Sequence, residues 1–179
     1  IRPGHEVILP SYVCVSVLHA VKYCGASPVF ADIEYGGYNI DPRSVAKRIT
    51  ANTKAIIVPH LFGTAADLAK LMEFGLPIIE DCAQAIGAEY KGRKLGSFGV
   101  LSTFSFKATK LMTTGHGGMV MTNSMEMLNR LRELTKYDEL GEYHVSYNYQ
   151  LTDFQAALGR SQLKQLNSFI ERRRKIAKT

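Results

Sequence analysis

No apolar run in this chain approaches the roughly 18 residues a membrane-crossing helix needs, because Pro59, His60, Pro77 and Glu80 cut the longest ones. A basic segment leading into an apolar stretch, the mark of a secretory signal, is also missing from the opening residues. Cysteine is scarce: Cys14, Cys24 and Cys82 make an odd count with no C-x-x-C pair. His5, His19, His60, His116 and His144 stand at no metal-ligand spacing. Neither a disulfide framework nor a metal site is therefore expected, and a reducing cytoplasm fits the thiols. There is no internal repeat and no low-complexity linker. The first residue is Ile1 rather than Met, which raises processing or truncation.

What is present has the ordinary mixture of a globular domain, with 46% apolar and 21% charged residues over 179 positions. The formal net charge of +6 is local. Arg160, Lys164, Arg172, Arg173, Arg174, Lys175 and Lys178 face one acid, Glu171, in the last twenty residues, and the remainder is balanced. No interleaved aromatics or reading motif accompany that segment, so neither nucleic acid nor membrane is an expected partner.

Short β-branched runs alternate with helical patterns. Strands are predicted at 7–10, 28–32, 54–58, 77–81, 102–106 and 118–122. Helical stretches are predicted from Tyr12 to Tyr23 before Gly25, after Asp41-Pro42, from Asp67 to Phe74 before Gly75, and over 124–136. Asp41 is a good N-cap and Pro42 suits the first helical position. One long amphipathic helix is expected from about Thr152 onward. The tyrosine-rich tract from Tyr137 to Tyr149 has little periodicity and reads as a long loop. Apolar strands alternating with helices predict an α/β fold, a mostly parallel sheet covered on both faces.

Ligands of such sheets bind beyond the carboxyl ends of the strands. That rule selects Asp32, His60, Asp81 and the residues after Phe106. Taken singly, Asp81 could be a helix cap, Ser105 a loop hydrogen-bonder and Lys110 a solvated charge. Gly115, Gly117 and Gly118 precede a strand and so are not a dinucleotide fingerprint. Together, a lysine able to form a Schiff base, an acid able to pair with a protonated ring nitrogen and a hydroxyl able to take a phosphate are what pyridoxal 5′-phosphate (PLP) requires.

Glu80-Asp-Cys-Ala-Gln-Ala85, Gly87-Ala-Glu-Tyr-Lys-Gly92, Gly96-Ser-Phe-Gly99, Phe104-Ser-Phe-Lys-Ala-Thr-Lys110 and Thr114-Gly-His-Gly-Gly118 follow one another in order. With the opening Gly4–Pro10, Gly25–Asp32, Asn148 and Gln155-Ala-Ala157, they closely resemble the DegT/StrS family of PLP-dependent sugar aminotransferases. The resemblance implies a three-layer αβα sandwich, the large PLP-binding domain of the type I aminotransferase fold, truncated at both ends. Residues 1–179 would be most of that domain, with 152–179 leading toward a C-terminal small domain.

By position, Lys110 would hold PLP as an internal aldimine and act as acid and base. Asp81 would pair with the ring nitrogen, Gln84 would bond the 3′-oxygen and Ser105 would contact the phosphate. Asn148 would reach the cofactor of the other subunit of a homodimer; its local alternative is to cap the final helix. Some positions depart from the family pattern: Lys107 stands where many members have Tyr, and His116 where many have Glu. Cys14 replaces a frequent ring-stacking aromatic, and Gln150-Leu151 a frequent Arg-Met. The implied function is amino transfer, from glutamate in most of the family, to a keto sugar nucleotide for amino-sugar biosynthesis. The alternatives are a PLP-dependent sugar dehydratase, one type of which has His in place of Lys110, and a truncated non-catalytic relative.

Overall fold

The computed structural model describes residues 1–136 and 145–179, which form two compact units, Ile1–Phe104 and Ser105–Thr179. Most of the expected tract from Tyr137 to Tyr149 lies outside the described residues.

The first unit is built on strands β1 (Glu6–Pro10), β2 (Ser27–Ala31), β3 (Thr53–Pro59) and β4 (Ile78–Asp81). After a short hairpin, β5 (Glu89–Tyr90) and β6 (Arg93–Lys94), comes β7 (Leu101–Ser105). The main strands lie in the order β2-β1-β3-β4-β7, and every neighbouring pair is parallel. The predicted strands thus appear, with ends shifted by a residue or two. The hairpin was not legible as strand. Its turn puts Lys91 at φ 48° and Gly92 at φ 77°, a primed turn whose twist suits paired strands.

Because side chains alternate along a strand, the sheet has two apolar faces. Ile8, Ile56, Val58 and Ile78 point into one core. There they meet Val45 of α2 (Pro42–Ala46) and Leu68 and Leu71 of α3 (Leu68–Met72). Val7, Leu9, Ala55 and Ile57 point into the other, against Val21 of α1 (Val15–Tyr23). This is the expected layering of helices on both faces of the sheet.

The helices start and stop for local reasons. Asp41 accepts the Arg43 N–H at 2.9 Å, as an N-cap with proline next in line should. Asp67 accepts the Lys70 N–H at 3.4 Å. Helix α1 ends in a Schellman arrangement, Gly25 N–H donating to Lys22 O and Ala26 N–H to Val21 O.

The second unit holds β8 (Gly118–Met121), α4 (Met125–Thr135), α5 (Asp153–Lys164) and α6 (Leu166–Ala177). All four residues of β8 are exposed, unlike the mostly buried β1 and β3. The long helix expected from Thr152 is interrupted. Gln165 takes φ −102° and ψ 1°, and two twelve-residue helices result. No proline or glycine causes the break. At the start of α6 the Gln165 carbonyl accepts both the Phe169 N–H at 3.1 Å and the Ser168 hydroxyl at 2.8 Å. Thr152, rather than Asn148, caps α5, in a reciprocal capping box with Gln155. Among the described residues, no helix is long and apolar enough to cross a membrane.

Candidate active site

The carboxyl end of β4 carries Glu80 and Asp81 with opposite fates, since adjacent strand residues face opposite sides of the sheet. Glu80 is fully buried. Its carboxylate accepts the N–H groups of Gly96 (2.8 Å), Phe98 (2.7 Å) and Gly99 (2.7 Å) and faces Nε2 of His60 at 3.1 Å. His60 is also fully buried, and its Nδ1 accepts the Ala66 N–H at 3.2 Å. A nitrogen that accepts carries no proton, so the ring proton sits on Nε2 and is donated to Glu80. Gly99 is required at its place: a Cβ there would lie 2.5 Å from the Ile78 carbonyl oxygen.

Burial alone would raise the Glu80 pKa, but the bonds from His60, Gly99, Gly96 and Phe98 together outweigh it and hold the value below the ordinary 4.5. Cys82 completes a buried trio whose ligand-type atoms lie within 4.8 Å of one another. Burial, with the charges of Glu80 and Asp81, pushes the Cys82 thiol up, away from the thiolate a metal prefers. Both nitrogens of His60 and both oxygens of Glu80 are already bonded. Glu80, with His60, is a brace holding the 96–99 loop and the residue after β3 to β4.

Replacing Glu80 by Gln puts an NH2 group among four donors and removes the anion. A loss of about 2–4 kcal/mol is expected, the usual cost of breaking a buried network. The pH dependence has a definite sign. A carboxylate whose folded pKa is lowered stabilises the fold above its unfolded value, here about 4.5, and loses that share as pH falls through the folded value. Urea midpoints at pH 7 and pH 4 should therefore fall less on acidification in Glu80→Gln than in the parent. Equal falls would show that Glu80 contributes nothing through its charge.

Asp81 is half-buried, and its Oδ1 accepts the Ala83 N–H at 2.9 Å. No helix follows, so Asp81 is not a helix cap but the brace of a turn. Its backbone carbonyl accepts the His60 N–H at 3.1 Å, and its Cα lies opposite Thr103 of β7. Gln84 is exposed, and its Oε1 accepts the Phe62 N–H at 3.2 Å. The first unit thus brings Asp81 and Gln84 into one turn. Of the other residues selected from the sequence, Asp32 accepts the Ser44 hydroxyl at 3.3 Å and anchors α2, a structural task. Cys14 is the N-cap residue of α1 and is exposed.

In the second unit Ser105, half-buried, ends β7 and its Oγ accepts the Lys107 N–H at 3.4 Å. Lys110 is half-buried in a loop closed at its base by Phe106. Phe106 N–H donates to Gly117 O at 2.8 Å, and Phe106 O accepts the Thr114 N–H at 3.0 Å and the Thr113 hydroxyl at 3.1 Å. Lys110 N–H donates back to Lys107 O at 2.9 Å, tightening the loop around the lysine. Gly117 has φ 147°, and a Cβ there would meet Leu151 and Thr114 at 2.7 Å. His116 serves through its carbonyl, which accepts from Thr114 (2.7 Å) and Gln155 (3.0 Å). Asn148 is exposed in the irregular stretch before α5.

Sequence reasoning missed Asn39 and Phe62. Asn39 stands 22 residues before Leu61, with no motif linking them. The only available signal was a polar residue inside an apolar context.

The first unit is thus a parallel α/β sheet with an acid and an amide in the turn after β4, and the second holds a lysine in a clamped loop. The sequence model of the DegT/DnrJ/EryC1/StrS aminotransferase family matches residues 1–179, and the chain belongs to that family. It is 39% identical over 186 residues to the GDP-perosamine synthase of Escherichia coli O157:H7, covering 99% of this chain and 51% of that protein. It is 40% identical over 185 residues to a UDP-N-acetyl-3-dehydro-alpha-D-glucosamine 3-aminotransferase of Acidithiobacillus ferrooxidans, covering 99% and 50%. Among solved structures, Streptomyces venezuelae DesV aligns with TM-score 0.88 and 39% identity, over 94% of this chain and 47% of that one. The aminotransferase TlmJ from Streptoalloteichus hindustanus aligns with TM-score 0.92 and 34% identity, over 99% and 51%. The chain thus spans about half the length of the curated relatives it matches.

Proposed function

We propose that the full-length protein is a PLP-dependent aminotransferase that moves an amino group, from glutamate, onto a keto sugar carried by a nucleotide. The observation that carries this reading is the set of bonding roles that local bracing leaves to four side chains. Asp81 is held through Oδ1, which leaves Oδ2 to accept from a protonated ring nitrogen. Gln84 has its oxygen engaged, which leaves its NH2 to donate to the ring's 3′-oxygen. Ser105 accepts through Oγ from a backbone N–H, which leaves its hydroxyl proton for a phosphate oxygen. Lys110 supplies an amine. One acceptor, two donors and an amine are the chemical complement of pyridoxal phosphate, so the residues fit the group.

When bound, that group supplies an electron sink on which a carbon beside an amine can lose and regain a proton. The chain does the rest. Asp81 keeps a fixed negative charge where a ring proton must be retained, and Lys110 carries a proton from one carbon to the next. The loop closed on Phe106 fixes the backbone that carries that amine. Named relatives working on GDP- and UDP-linked sugars support a nucleotide-linked substrate. We further propose that residues 1–179 form most of the large domain, that the protein is a homodimer to whose second site exposed Asn148 contributes, and that it works in the cytoplasm.

Full-length protein loaded with PLP should lose its visible band on adding glutamate, release 2-oxoglutarate, and recover the band when a keto sugar nucleotide is supplied. A band indifferent to glutamate and to other amino acids would overturn the aminotransferase reading.

A further inference from the structure

The turn after β3 is gripped at both ends by one buried side chain. Asn39 is 4% exposed, and a buried amide is tolerated only when its polar atoms are bonded. Its Oδ1 accepts the Leu61 N–H at 3.0 Å, and its Nδ2 donates to the Thr64 carbonyl at 2.9 Å. These two bonds bracket the short 3-10 turn Leu61–Gly63. Immediately outside the bracket, His60 accepts from Ala66 and so pins the next stretch as well.

Inside the bracket the backbone is strained. Phe62 has φ 55°, a left-handed conformation that costs a residue with a side chain roughly 1–2 kcal/mol. Such a conformation persists only where surrounding bonds impose it. Its consequence is directional: the Phe62 N–H meets Oε1 of Gln84 at 3.2 Å. A backbone N–H can only donate, so the Gln84 oxygen must face it and the NH2 must face away. An exposed glutamine with no such contact would present either end of its amide.

We propose that Asn39 is a positioning residue that, through the Phe62 N–H, fixes the amide of Gln84 as a hydrogen-bond donor toward the cofactor's 3′-oxygen. The proposal rests on the reading of Gln84 given above. It makes the order of the turn, rather than the glutamine alone, responsible for donor polarity. An N–H aimed at the 3′-oxygen favours the form in which that oxygen has lost its internal proton partner. Removing the donor should therefore move the titration of the visible band to higher pH. One hydrogen bond corresponds to a shift of about half a pH unit to one unit.

The test is a pH titration of that band in the full-length, PLP-loaded protein, its Asn39→Ala and Asn39→Asp forms, and Gln84→Glu. Asp at 39 keeps the acceptor for Leu61 but loses the donor to Thr64, so it serves where Ala fails to fold. Gln84→Glu keeps an acceptor for the Phe62 N–H and loses the outward donor. All three variants should titrate at higher pH, with the shift of Asn39→Asp the smaller of the two at that position. Hydrogen exchange without cofactor should show faster exchange at Leu61 and Phe62 and unchanged protection at Ile56–Val58. A shift in Gln84→Glu with none in either Asn39 variant would overturn the positioning role alone. No shift in any variant would overturn the donor assignment of Gln84, and the positioning role with it. Absence of the band from the parent would overturn the PLP reading itself.

Discussion

Replacing Lys110 by Ala in the full-length protein should abolish the visible band and lower amino transfer by roughly three orders of magnitude or more. A positioned proton-transfer group alone contributes ~10²–10⁴ in rate, and Lys110 is also the proposed attachment point. The loop around it predicts that little else changes. Its closing bonds run through the backbone of Phe106, Lys107, Thr114 and Gly117 and the hydroxyl of Thr113, and none uses the Lys110 side chain. Stability should therefore stay within about 0.5 kcal/mol of the parent, as for ordinary substitutions away from buried networks. Lys110→Arg sharpens the test. A guanidinium keeps length and charge but is never deprotonated in a protein, so it can neither attack a carbonyl nor relay a proton. Arg should be as inactive as Ala. Borohydride reduction of the loaded parent should fix label on Lys110. Label on another lysine, or a surviving band in Lys110→Ala, would sink the assignment.

Much of this architecture could be read from the residues, and the reason is physical. Val7–Leu9, Ile56–Val58 and Ile78–Ile79 are short apolar runs because a parallel sheet buried on both faces needs no polar side. Asp41-Pro42 announces a helix start through chemistry confined to three residues. Asp81, Gln84, Ser105 and Lys110 could be singled out because each ends a strand or follows one within a few residues, while the roles proposed for them come from the family resemblance. What escaped depends on partners distant in sequence. Asn39 acquires its role from Leu61 and Thr64, and Glu80 from the 96–99 loop. Neither relation leaves a local periodicity. The break at Gln165, at φ −102° and ψ 1°, falls within an otherwise unbroken helical pattern and has no proline or glycine to announce it. The sequence also made Asp81 ambiguous between cap and ligand. The turn shows Oδ1 used locally, and the proposed function gives Oδ2 to a ligand.

That division of labour sets the expectation for Asp81→Asn, which should slow the half-reaction with glutamate by about two orders of magnitude. Asn retains an Oδ1 for the Ala83 N–H, so the turn and the fold should survive, and the urea midpoint should change little. What is lost is the charge. A hydrogen bond involving an ionised group is worth about 1.5–3 kcal/mol, and each ~1.4 kcal/mol is tenfold in rate. An amide also cannot hold a ring proton in place, because its NH2 is a donor where an acceptor is required. Asp81→Glu keeps the charge but moves it by one methylene, so it should fall between Asn and the parent. The order parent, Glu, Asn separates electrostatics from turn geometry, since a purely structural Asp81 would favour the isosteric Asn over the longer Glu. Stopped-flow measurement of the half-reaction at saturating glutamate, with cofactor occupancy determined separately, reads this order directly. Near-parental rates in Asp81→Asn, with Glu the worse variant, would show that Asp81 only braces its turn.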